Sequence, residues 1–254
     1  MPENGRQQKQ MAEFGLCQVL GELKDRCRFV ELSHELSANT VRWPGFPSLR
    51  SEVLSDYPEG SLVHKVEVVT QYGTHVDAPG HFVRGACMLN ELNAEELILP
   101  LCVLDISQKA AQDCDYAVTV DDIRDFEERY GKIPEKCFVA ARTDWSKRSD
   151  MDNMDEAGQK HYPGWSMEAL RFLVEERDVA AIGHETSDTD VAVRSAKEGL
   201  VCEYYILEQN RYQIELMKNL DKVPPVGSII FCGFPRGKGI TGFTARCIAV
   251  CPDG

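Results

Sequence analysis

The chain has 254 residues, 43% of them hydrophobic, and a formal net charge of −13. That length and apolar content suffice to bury a large core, and the acidic balance excludes nucleic acid or an anionic membrane as partner, since both need clustered Lys and Arg. No apolar run approaches the ~20 residues of a membrane span, and the polar start MPENGRQQKQMAEFG lacks the charged-then-apolar order of a secretory signal.

The ten cysteines include no C-x-x-C pair, which argues against a thiolate zinc site. Cys102 in LPLCVLDIS and Cys232 in SIIFCGF read as small core residues with free thiols, the usage of a reducing, cytoplasmic compartment.

Residues 1–12 read as a loose tail and 13–254 as one domain. FVELSHEL (29–36) alternates like a strand, RWPGFP (42–47) is a turn or loop, and HKVEVVTQY (64–72) is a further strand. NAEELILP predicts a short helix with Asn93 at its cap and Glu95 and Glu96 at its positive end. LCVLDIS (101–107) is a buried strand. TVDDIRDFEERYG (119–131) is a helix with Thr119 as N-cap, Asp122 at the capping-box position and Gly131 past its end. CFVAART (137–143) is a buried strand. SMEALRFLVEER (166–177) is a helix capped by Ser166, with Met167, Leu170, Leu173 and Val174 on one face. VAAIGHE (179–185) is a strand, and YYILEQ, RYQIELM, GSIIFCGF and ARCIAV all read as strands. The class is α/β, a mixed-sheet single domain. It lacks a clean βαβ alternation, and no G-x-G-x-x-G or P-loop is present.

The stretch QYGTHVDAPGHF (71–82) concentrates chemistry. Gln71, His75, Asp77 and His81 are spaced four, two and four apart. In a strand His75 and Asp77 face the same way, so an imidazole nitrogen and a carboxylate oxygen begin a divalent-cation site. Pro79 fixes the exit of the chain, and His81 can then fold back over the ion. The plain alternative is a His–Asp hydrogen bond within a strand.

GTHVDAPGHF resembles the H-x-x-x-H-x-D-x-x-x-H motif of the cyclase-like metal-dependent hydrolases, a family that includes kynurenine formamidases and isatin hydrolases. The resemblance runs over residues 29–250. It includes VELSHELSANTVRWPGFP, GHETSDTD, IELMKNLDKVPPVGSIIFCGFP and GFTARCIAV. It implies the swivelling β/β/α fold and a hydrolase that attacks a small amide, lactam, lactone or ester with a metal-activated water. By the same resemblance His75 and Asp77 are metal ligands and His81 is the general acid/base. Gln71 stands where formamidases carry a first His, which weakens zinc and tolerates Mn²⁺. Glu215 matches a late Glu ligand, and Gln213, two residues earlier on the same strand face, is the alternative. Glu203 stands where a second metal would need a His, so the implied cofactor is one divalent ion, Mn²⁺ or Zn²⁺. Trp43 matches an aromatic residue of the substrate pocket. The family also implies a homodimer or higher homo-oligomer with a small-molecule substrate.

Arg142 beside Trp145 is a candidate for a substrate carboxylate, with an ion pair as the plain reading, and His184 a candidate beside the site or a buried structural histidine. Arg246 resembles a family residue near the active face. His34 reads as structural, and His64 and His161 as exposed. Two rival functions are carried. One is a non-catalytic relative that binds metal or a metabolite. The other is a 2-oxoglutarate/Fe(II) oxygenase, since HVD, His184 and Arg194 imitate its ligand pattern; it requires an all-β jelly roll.

Overall fold

The computed structural model describes the backbone of residues 3–253 and side chains from residue 15 onward; the loose tail expected over residues 1–12 lies outside the residues described in full. In chain order the elements are α1 (Glu3–Arg26), β1 (Cys27–Glu31), β2 (Arg50–Ser55), β3 (Val63–Glu67), β4 (His75–Asp77), β5 (Ile98–Asp105), α2 (Ser107–Gln112), β6 (Ala117–Val118), α3 (Val120–Tyr130) and β7 (Phe138–Arg142). There follow β8 (Gly164–Trp165), α4 (Met167–Arg171), β9 (Ala181–His184), α5 (Ala192–Glu198), α6 (Val201–Glu208), β10 (Tyr212–Glu215), β11 (Ser228–Gly233), β12 (Gly242–Thr244) and β13 (Arg246–Pro252).

Nine strands form one mixed sheet in the order β1-β13-β11-β5-β7-β9-β10-β4-β12. Its centre, β5-β7-β9-β10, is parallel, and both flanks are antiparallel. Parallel strands need crossovers and bury both faces, which is why LCVLDIS and CFVAART are nearly continuous in apolar residues. On one face Leu101, Val103, Phe138, Ala140 and Ile214 join one core. On the other Cys102, Leu104, Val139, Ala141 and Ile182 pack against α3, α4 and α6. The α/β mixed-sheet expectation holds. The parallel centre and its helical layer exclude the jelly roll, and with it the oxygenase reading.

Helix α3 is built as its sequence predicts. The Thr119 hydroxyl accepts from Asp122 N, the Asp122 carboxylate accepts from Thr119 N, and Gly131 ends the helix at φ 92°. Ser166 caps α4 through Ala169 N, and the helix continues as a π-turn over Phe172–Glu176. At the NAEELILP segment only a 3₁₀ turn forms, and Asn93 makes no side-chain capping bond.

YYILEQ is not a strand but part of α6. The reason is a cap supplied from far upstream. Asp190 Oδ1 accepts from Cys202 N at 2.9 Å and Asp190 Oδ2 from Glu203 N at 3.0 Å, satisfying two N–H groups a helix start leaves open. Cys202, Ile206 and Leu207 are then buried in the helix-side core, and that packing overrides the β preference of Tyr and Ile. Strand β10 stops at Glu215 because Leu216 turns at φ 52°. Leu216 N bonds to Thr186 O and Met217 N to His184 O, tying the strand end to the turn after β9.

Candidate metal centre

Strand pairing brings the early motif and the late one together. Asp77 lies opposite Gln213, and His75 opposite Glu215. Because side chains alternate, Val76 and Ile214 enter one core while His75, Asp77, Gln213 and Glu215 share the opposite face. All four are buried.

The His75 ring is oriented by its own turn: Nδ1 is 2.8 Å from Gly73 O, so Nδ1 carries a proton and Nε2 is turned to the cluster. Gly73 is at φ 63°, and a Cβ there would stand 2.9 Å from Thr40 Cγ2. Nε2 of His75 is 3.5 Å from Asp77 Oδ2 and 3.4 Å from Glu215 Oε2. His75, Asp77 and Glu215 form one cation-type cluster, and Asp77, His81 and Glu203 form a second that shares Asp77.

Two amides flank the carboxylates. Gln213 Oε1 accepts from the Thr189 hydroxyl at 2.6 Å, which leaves Nε2 to donate to Glu215 Oε1 at 2.9 Å and Asp77 Oδ2 at 3.4 Å. Gln71 Oε1 accepts from the Thr70 hydroxyl, and its Nε2 lies 3.3 Å from Asp77 Oδ1 and 3.4 Å from His81 Nδ1. Gly242 on β12 makes room for this: a Cβ there would be 2.3 Å from Gln71 Nε2 and 3.0 Å from Asp77 Oδ1. His81 ends a 3₁₀ turn over Pro79–His81. Its side chain is 30% exposed, with Nε2 3.8 Å from Asp77 Oδ1 and Nδ1 3.5 Å from the Thr241 hydroxyl. It is the rim of the cluster, while the other members are its floor.

The electrostatics are those of a cation site without fixed cationic side chains. Among the described residues no lysine or arginine forms an ion pair with Asp77, Glu203 or Glu215; the partners of Asp77 and Glu215 are histidines. Burial pushes the Glu215 and Glu203 carboxyls well up, and mutual repulsion with Asp77 and Asp188 adds to it. Burial opposes charge on His75, but Asp77 and Glu215 outweigh it and hold its pKa well above the usual value. Burial also works against the Asp77 carboxylate, and His75 outweighs it and draws it down. A buried group of carboxylates costs several kcal/mol per ion unless a counter-charge is supplied. Here that role suits a divalent ion.

His184 ends β9 with both ring nitrogens buried and without a hydrogen-bond partner; Nε2 is 3.5 Å from Glu215 Oε1. Burial, with His75 nearby, lowers its pKa to about 3, so the ring is neutral. Arg142 stands apart from the cluster: its guanidinium is taken by Asp105 at 2.7 Å and Asp144 at 2.8 Å. Arg246 likewise is paired, with Glu31. Trp43 is 49% exposed, edge-on to Phe46 at 5.1 Å, and its loop borders a cavity of about 560 Å³ shared with His34, Ser146, Arg148 and Ser187. His34 is partly buried, with burial lowering its pKa to about 4. His161 is not exposed as expected but half-buried against Asp115. Residue patterns alone did not point to Thr189, Thr241, Gly242 or Asp188, whose roles come from strand neighbours distant in sequence.

The Cyclase family model matches residues 30–191. This chain belongs to the cyclase family. Within it, the chain is 31% identical over 189 residues to an isatin hydrolase of Roseibium aggregatum, covering 71% of each chain. It is 28% identical to a kynurenine formamidase of Bacillus anthracis over 82 residues, 32% of this chain and 39% of that one. Isatin hydrolase A from Labrenzia aggregata, bound to benzyl benzoate, superposes with a TM-score of 0.87 at 30% identity over 94% of this chain and 100% of that one. An isatin hydrolase bound to the product analogue thioisatinate gives 0.86 at 26% identity over 95% and 99%. The cyclase-family resemblance, the fold and the metal-dependent hydrolase class are borne out by these relatives and by the His/Asp/Glu clusters. No helix among the described residues is long and apolar enough to cross a membrane.

Proposed function

We propose that this cyclase-family hydrolase opens the amide bond of a small cyclic aryl amide of the isatin type with water, using one divalent ion, Mn²⁺ or Zn²⁺. The observation that carries the proposal is the buried triad His75 Nε2, Asp77 Oδ2 and Glu215 Oε2, with His75 3.4–3.5 Å from both carboxylates. Its donor set fits such an ion: an imidazole whose other nitrogen is already committed, and two carboxylates with no basic side chain to neutralise them. Glu215 is the late ligand, because the Gln213 oxygen is turned to Thr189. When bound, the ion supplies Lewis acidity and a water of lowered pKa. The Gln213 amide holds Asp77 and Glu215 at fixed spacing. Gln71, its oxygen engaged by Thr70, serves as a donor to Asp77 rather than as a ligand. Exposed at the rim, His81 takes a proton from the attacking water and returns it to the departing amide nitrogen, a role worth ~10²–10⁴ in rate. His184, neutral and buried, packs beside Glu215 below the reacting groups. The Trp43 loop borders the cavity lined by His34, Ser146 and Ser187, a candidate substrate pocket by the family resemblance, and Arg142 braces strand ends β5 and β7. The ten free cysteines support a cytoplasmic setting, and a homo-oligomer is the expectation that the family resemblance carries.

The test is loss of isatin absorbance on incubation with metal-loaded protein, alongside a panel of lactones and N-formyl anilines. His81→Ala is expected to reduce kcat ~10²–10⁴-fold with the metal retained. No turnover of any panel member by a metal-loaded wild type would instead support the non-catalytic relative.

A further inference from the structure

A third cluster of donor atoms lies on different elements and shares no residue with the other two. Cys114 and Asp115 occupy the loop between α2 and β6, and His161 ends the long segment that leads into β8. Cys114 Sγ, an Asp115 oxygen and a His161 nitrogen all lie within 4.8 Å of one another. Two ligands each 2.3 Å from a common ion stand at most about 4.6 Å apart, so small side-chain adjustments close the set. His161 Nδ1 is 2.7 Å from Asp115 Oδ2, and its Nε2 is 3.5 Å from Asp155 Oδ2.

A simple His–Asp hydrogen bond accounts for one oxygen only. Asp115 Oδ1 is shielded from solvent and has no partner, and an unpaired buried acceptor costs about 1–3 kcal/mol. The Cys114 thiol is free and half-buried beside it. Sulfur, imidazole nitrogen and carboxylate oxygen together are a zinc-type donor set. Asp115 also lines a surface cleft with Asp113, Tyr116 and Glu168. The sequence conceals the site because its donors sit 46 residues apart, not at any C-x-x-C spacing.

We propose that Cys114, Asp115 and His161 form a Zn²⁺ site, its fourth position open to solvent, that shares no ligand with the His75–Asp77–Glu215 cluster. Its mechanical consequence runs through the next residue. Tyr162 donates to Asp188, whose carboxylate acts electrostatically on both Glu203 and Glu215. Fastening His161 to the 114–115 loop holds Tyr162, and through it Asp188, in place beside the metal centre.

Cobalt gives a readout specific to this site, because the His75 cluster contains no sulfur. Chelator-stripped full-length protein is titrated with Co²⁺ alone, and the near-ultraviolet thiolate-to-cobalt charge-transfer band is followed. The band is expected to saturate at one equivalent per site, to vanish in Cys114→Ser and His161→Ala, and to persist in Glu215→Gln. Zn²⁺ is expected to bleach it, and total zinc by elemental analysis to fall by one ion per chain in Cys114→Ser. Far-ultraviolet circular dichroism confirms that each variant is folded. Absence of the band at stoichiometric Co²⁺, its appearance only in large excess, or its survival in folded Cys114→Ser overturns the proposal.

Discussion

Glu185 and Glu215 are both buried glutamates at the ends of neighbouring parallel strands, 1% and 3% exposed, and their surroundings could hardly differ more. Glu185 Oε2 accepts from Thr143 N, Asp144 N and the Thr143 hydroxyl, and Oε1 accepts from the Ser146 hydroxyl. Its lone pairs are spent on the loop after β7. Glu215 has one amide donor, Gln213, and otherwise faces His75 and His184. Burial raises the pKa of both, so burial alone does not tell structure from chemistry. The donors do: a carboxylate saturated by N–H and O–H groups anchors a loop, whereas one facing lone pairs and other carboxylates waits for a cation.

The largest expected effect is on the Glu215 side. Glu215→Gln keeps the shape and removes the charge. Metal content and hydrolysis should both collapse, by more than the ~10–100-fold that loss of an outer hydrogen-bond partner costs, while the metal-free protein should be no less stable, since burial already favours the neutral form of this carboxyl. Elemental analysis and a denaturant titration after chelation check the two halves; unchanged metal content would break the contrast. Glu185→Gln should do the reverse. It converts an acceptor of backbone N–H into a mixed group and leaves donors unmatched, at about 1–3 kcal/mol of stability, with metal stoichiometry intact. A fall in metal content there would assign Glu185 to the centre. Between them stands Gln213. Gln213→Leu removes the amide that spaces Asp77 and Glu215, and metal affinity should drop ~10–100-fold with little loss at saturating ion. A competition titration against a chromophoric chelator measures it.

Much of the centre was legible because its logic is local. Period two placed His75 and Asp77 on one face, and the Pro79 turn returned His81 to it. Helix α3 was equally readable, since Thr119, Asp122 and Gly131 act within their own segment. Reading failed where the deciding contact came from elsewhere. The α6 cap is Asp190, twelve residues upstream of Cys202, so YYILEQ looked like a strand. The exposed His161 of the sequence reading is held by Asp115 on a different loop.

The sequence by itself determined the residue types of the candidate metal centre, the alternation that puts the first two of them on one face, and the apolar runs that had to become buried parallel strands. It did so through short-range periodicity and capping, which depend on neighbours along the chain. It extended the preceding strand to residue 72, whereas β3 stops at Glu67 and His75–Asp77 form a separate strand. Only the tertiary structure decided that Gln213 turns its oxygen to Thr189, that Glu215 closes the cluster, that Arg142 is occupied, and that Cys114 meets His161. Those outcomes depend on strand register and on hydrogen-bond partners from separate segments, and no spacing along the chain encodes them.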